Sequence, residues 1–135
     1  MNNPHGIWLD TRDAAKPVVL VADRGNRRIV RYTTDDVAID SIDNMGSPCH
    51  FHQQKDLLVV PDLASRVYLI DKNDKIVVEL GNGAGSGVSR TTANRSDFLP
   101  GKFVAPHGAT FDHAGNIFVA EWVEIGRFTK LRKIA

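Results

Sequence analysis

Cys49 is the only cysteine in 135 residues, so no disulfide can form within the chain. Long apolar runs are missing as well. No stretch approaches the roughly 18–20 residues that a membrane-spanning helix needs. The opening Met1-Asn2-Asn3-Pro4-His5 lacks the basic-then-apolar pattern of a secretory leader. Neither sign of charge is in excess: 17 Lys and Arg against 16 Asp and Glu leave a net charge of +1. There is no basic surplus to recommend nucleic acid and no acidic surplus to recommend a cationic partner. The glycines of Gly81-Asn82-Gly83-Ala84-Gly85-Ser86-Gly87 do not fit GxGxxG, and no Gly-Lys-Ser/Thr follows, so this stretch is loop and not a phosphate cradle. Asn94-Arg95-Ser96 fits the glycosylation pattern, which is too short to carry a claim.

What the chain does have is repetition. Asn3-Pro4-His5-Gly6-Ile7-Trp8-Leu9-Asp10 returns as Ser47-Pro48-Cys49-His50-Phe51 and as Ala105-Pro106-His107-Gly108-Ala109-Thr110-Phe111-Asp112. Each phrase is followed by an apolar run ending in an acid: Val18 to Asp23, Leu57 to Asp62, Asn116 to Glu121. Each then continues into a run opened by arginine, at Arg28, Arg66 and Arg127. Short runs rich in β-branched and aromatic residues, punctuated by Asp, Gly and Asn, predict antiparallel strands. Strands are expected at Gly6–Asp10, Val18–Ala22, Arg28–Tyr32 and Val37–Ile42 in the first unit. In the second unit the fourth strand is Ile76–Leu80. The third unit ends after its third strand. Val18–Ala22 is apolar throughout, which predicts burial on both faces.

A repeat of about 40–50 residues with four antiparallel strands per unit is the blade of an all-β propeller. The units span approximately 3–45, 46–101 and 102–135. A propeller closes with roughly 4–8 blades. The chain is therefore expected to be part of a longer six-bladed propeller, or half of a ring closed by a second copy.

In a blade, strand one lines the axis, and the turn after strand two returns to the same rim. His5 and His107 occupy equivalent positions two repeats apart, both at the start of strand one. Two histidines pointing into one channel from alternating blades are the geometry of an axial metal, and a third ligand would complete an open zinc site. Cys49 stands in the same slot of the middle unit, as a small buried residue or a soft ligand. His50 is a candidate for the channel wall. His113 lies in a turn and is expected to be exposed. Asp23/Arg28, Asp62/Arg66 and Glu121/Arg127 recur in every unit and are expected to be structural ion pairs. Arg24, Trp122 and Glu124 occur once each on the same rim and are candidate substrate contacts, Arg24 for a carboxylate and Trp122 for stacking. Trp8 and Phe111 are expected in the core between blades.

The units resemble NHL repeats; Val21-Ala22-Asp23-Arg24-Gly25-Asn26-Arg27-Arg28-Ile29 carries that likeness. The two Pro-His-Gly phrases resemble those of the peptidyl-α-hydroxyglycine α-amidating lyase domain. That resemblance implies a six-bladed propeller with zinc held by three histidines on alternating blades. It also implies lyase chemistry on a peptide-derived hydroxyglycine. His5 and His107 match the motif, and the third histidine has no counterpart in this chain. The family's catalytic tyrosine, two residues after a strand-two aspartate, has Gly25, Ala64 and Val123 in its place. The arginine preceding such an aspartate is replaced by Ala22, Pro61 and Ala120. Under this reading the tyrosine, the arginine and the third ligand come from outside these 135 residues. The alternative is a non-enzymatic NHL propeller that binds a protein or peptide on its rim. A sugar-lactone hydrolase of the six-bladed type would use acidic metal ligands, whereas the acids here are expected to pair with arginines. The expected partners are a small polar or peptide-derived ligand and further blades, with no nucleic acid and no membrane.

Overall fold

The computed structural model describes residues 1–134. The strands are β1 (Pro4–Asp10), β2 (Val18–Asp23), β3 (Arg28–Tyr32), β4 (Ala38–Ile42), β5 (His52–Gln54), β6 (Leu57–Asp62), β7 (Arg66–Ile70), β8 (Ile76–Leu80), β9 (Pro106–Phe111), β10 (Ile117–Glu121) and β11 (Arg127–Leu131). They form three antiparallel sheets, ordered β1-β2-β3-β4, β5-β6-β7-β8 and β9-β10-β11. These are propeller blades, the third with three strands among the described residues.

The turns follow from local chemistry. Thr33–Val37, Asp71–Lys75 and Asp112–Asn116 close in the same way. The fourth residue of each turn, Asp36, Asp74 and Gly115, donates its N–H to the carbonyl of the first. Each of these fourth residues is left-handed, with φ of 64°, 60° and 85°. Asp tolerates that conformation and Gly adopts it freely.

Two cores join the blades. Between the first and second lie Leu20, Ile29, Met45, Phe51, Leu58, Val60 and Tyr68, with Trp8 packed against them. Between the second and third lie Val59, Val67, Phe103, Ala109, Ile117 and Val119, with Phe111 at the margin. Burying each large apolar side chain stabilises the fold by about 1.5–3 kcal/mol. Trp8 and Phe111 thus serve the inter-blade contacts expected of them.

The middle blade has a neighbour on each side, and β6 is buried from Leu58 through Asp62. The first blade has one neighbour. Val19 and Val21 of β2 are therefore only half-buried, and Ile7 (70%) and Leu9 (54%) of β1 are exposed. That corrects the expectation of two buried faces for the first apolar run: a strand is covered on both sides only where a second blade lies against it. On the third blade Phe128 is 69% exposed and stacks on Phe118, at positions equivalent to the buried Ile29 and Leu20 of the first. Both outer blade faces thus present apolar surface of inter-blade character.

At the rim opposite the histidines, Arg12, whose side chain is 2% exposed, pairs with Asp10 and Asp74 and donates to the carbonyls of Ile70 and Asp71. This cluster ties the end of β1 to the β7–β8 turn. No helix among the described residues is long and apolar enough to cross a membrane.

Candidate metal centre

Each blade delivers one side chain to the axis by the same device. A proline begins or precedes the inner strand, where its missing N–H costs no ladder bond. The acid that ends strand two accepts from the backbone just ahead of that proline. Asp23 takes the N–H of Asn2 (2.6 Å); Asp62 takes those of Gly46 (2.8 Å) and Ser47 (2.6 Å); Glu121 takes those of Val104 (2.6 Å) and Ala105 (3.1 Å). The residue after each proline is His5, Cys49 or His107.

These three converge. Their candidate ligand atoms lie within 4.8 Å of one another. The rings of His5 and His107 meet edge to face with centroids 4.7 Å apart. In a tetrahedral zinc site, bonds of about 2.0 Å to nitrogen and about 2.3 Å to sulfur hold neighbouring donors roughly 3.5 Å apart, so the widest pair here would close by about 1 Å. Cys49, 1% exposed, lies outside the short β5, where Pro48 bridges to Asp62. It supplies from within the chain a third donor beside the two expected histidines.

The protonation chemistry suits a cation. Nδ1 of His5 lies 3.0 Å from the carbonyl oxygen of Cys49, and a carbonyl can only accept, so Nδ1 carries a proton and Nε2 is the nitrogen left for a ligand role. Burial pushes the His107 imidazole below its ordinary value, and electrostatic interactions with His5, Arg24 and His50 push the same way. His107 is thereby kept in the neutral, ligating form. Burial pushes the Cys49 thiol up, against the hydrogen bond and charge of Arg24, whose Nη1 is 4.0 Å from Sγ. Sγ donates to the carbonyl of Ser47 at 3.3 Å. A cation at this point would offset the cost of the buried thiolate.

Around the centre, Arg24 is half-buried and has no carboxylate partner among the described residues. Trp122 is 46% exposed, its ring centroid lies 5.5 Å from that of His107, and the guanidinium of Arg90 sits 3.7 Å from the centroid of its ring. Glu124 is exposed, and its N–H donates to the carbonyl of Arg90. His50 is exposed at its outer edge, but partial burial of the ring lowers its basicity, opposed by a hydrogen bond with the backbone of Ala109 and reinforced by the neighbouring His52 and His5. His52 turns away to pack between Trp8 and Phe111 and accepts the N–H of Phe111 on Nδ1. His113 is exposed in its turn.

One expected ion pair is absent. Asp23–Arg28 (2.8 Å) and Glu121–Arg127 form, but Arg66 pairs with Glu79 (3.1 Å) and donates to the carbonyl of Ala64, away from Asp62. Sequence reasoning also missed Arg90. It lies in the β8–β9 connection, which has no counterpart in the other units, so repetition gave no signal for it.

No family model matches the chain, and no curated protein matches it. Among solved structures, virginiamycin B lyase from Staphylococcus aureus is similar at a TM-score of 0.58 and 16% identity. The match covers 98% of this chain and 42% of that one, so the chain spans less than half the length of its structural neighbour. At that identity the likeness concerns the fold, and it agrees with the three blades in describing a β-propeller.

Proposed function

We propose that this chain is the metal-holding part of a six-bladed β-propeller of the NHL type, with lyase-like chemistry on a small carboxylate-bearing, peptide-derived substrate. One observation carries the reading: three donors from three successive blades, His5, Cys49 and His107, meet on one axis. Two neutral imidazoles and one thiolate are the donor set of a zinc-class cation with an open position. Such a cation would act as a Lewis acid on a substrate oxygen. Arg24, lacking a carboxylate partner of its own, receives the substrate carboxylate. Trp122, backed by Arg90, offers a flat wall to the remainder of the substrate. No residue here is assigned as general base.

The test is metal content of the purified protein, with His5→Ala and His107→Ala variants beside it and mass in solution measured in the same run. Stoichiometric zinc in the parent, lost from both variants, supports the reading and justifies assaying hydroxyglycine peptides. A well-folded protein that holds no metal overturns it and favours a scaffold that captures a peptide at the Arg90–Trp122 rim.

A further inference from the structure

The acid at the end of strand two recurs in every blade, yet the middle blade uses it differently. Asp23 and Glu121 each meet an arginine, Arg28 and Arg127. Asp62 has none. It is 0% exposed and accepts only backbone N–H groups: Ser47 (2.6 Å) and Ala64 (2.8 Å) on Oδ1, Gly46 (2.8 Å) on Oδ2. All three partners donate, one or more to each oxygen; burial pushes the Asp62 carboxyl up, and these three bonds, with the more distant charge of Arg66, oppose that and favour the carboxylate. A buried carboxylate without a counter-ion is expensive unless something else balances it. The arginine that repetition would supply, Arg66, is turned to Glu79.

The blade whose carboxylate has no arginine paired to it directly is the blade that carries the thiol. The connection is short. Asp62 grips the N–H of Ser47, the carbonyl of Ser47 receives the thiol of Cys49, and the N–H of Cys49 donates to the carbonyl of Pro61, next to Asp62. Gly46 is fitted tightly against the same group: a Cβ there would stand 2.5 Å from Oδ1.

We propose that Asp62 is the positioning residue of the metal centre. It holds the Gly46–Ser47 backbone so that Cys49 presents Sγ to the axis between the two imidazoles. It also supplies negative charge behind the site that a bound divalent cation balances. Asp23 and Glu121, neutralised by their arginines, position His5 and His107 without that second task. The inference rests on the metal reading above.

Cobalt(II) titration of the protein tests it, because thiolate-to-cobalt charge transfer reports Cys49 directly. Asp62→Asn keeps the shape but sets an NH2 group against one of the donors. It is expected to bind cobalt 10–100-fold more weakly, the range for groups that orient a ligand, with reduced charge-transfer intensity. Asp10→Asn removes a similarly buried carboxylate at the opposite rim and controls for lost stability, leaving the cobalt spectrum unchanged. If Asp62→Asn does not fold, Gly46→Ala displaces the same carboxylate and is read in its place. A folded variant with parental affinity and spectrum overturns the positioning role and leaves the metal reading intact. A parent protein that binds no cobalt overturns the metal reading itself.

Discussion

The imidazole of His5 donates from Nδ1 to the carbonyl oxygen of Cys49, 3.0 Å away across the contact between the first and second blades. One bond thus fixes the tautomer of one candidate ligand and the backbone of another. The blades approach this closely because Gly6 has no side chain: a Cβ there would lie 2.5 Å from that same oxygen.

Gly6→Ala should therefore push the blades apart and break the His5–Cys49 bond. We expect cobalt or zinc affinity to fall about 10-fold or more. Gly108→Ala, where an added Cβ meets nothing within 4 Å, should leave affinity unchanged. Competition against a chromophoric chelator measures both.

Cys49→Ser keeps the size of the buried side chain and removes the thiolate. Zinc affinity should drop by at least about 10-fold while the two imidazoles remain, because the soft donor is lost. The cobalt complex of this variant should show no thiolate charge-transfer band.

Asp23 should govern part of the acid stability. Its carboxyl is held at about 2 against an ordinary 3.8: burial opposes ionisation, but the N–H of Asn2 and the side chains of Asn26 and Arg28 outweigh it. A depressed carboxyl contributes stability that is present above its unfolded value and lost as pH falls toward the folded one. The loss should therefore occur between about pH 4 and pH 2 and amount to roughly 2 kcal/mol. In Asp23→Asn this part of the pH dependence should vanish, as read by urea unfolding at stepped pH.

Arg12→Met should destabilise the protein by about 3–5 kcal/mol, because it strands the buried carboxylate of Asp10, while Asp74 keeps its pairing with Arg31. The cluster lies at the opposite rim from the histidines. Metal affinity of the folded fraction should be unchanged. The urea midpoint and a cobalt titration together separate the two effects.

Much of this was legible along the chain. The bounds of β3, β8 and β11 follow directly from arginine-led or β-branched runs between turn residues, since strand period and turn chemistry are local properties. The convergence of His5 and His107 was readable because repetition turns sequence position into angular position around an axis. The resemblance to a three-histidine family pointed to a third ligand outside the chain; packing also brings the Sγ of Cys49 within 4.8 Å of the two imidazoles. Arg66 lies opposite Asp62 in the β6–β7 register, as Arg28 lies opposite Asp23, yet it pairs with Glu79 of β8, a choice the sequence leaves open. Arg90 reaches Trp122 only because the unrepeated β8–β9 connection folds back over the rim. Local sequence determined the blades and the turns. The contents of the axial site were decided by contacts between blades, where burial and donor geometry depend on residues far apart in the chain.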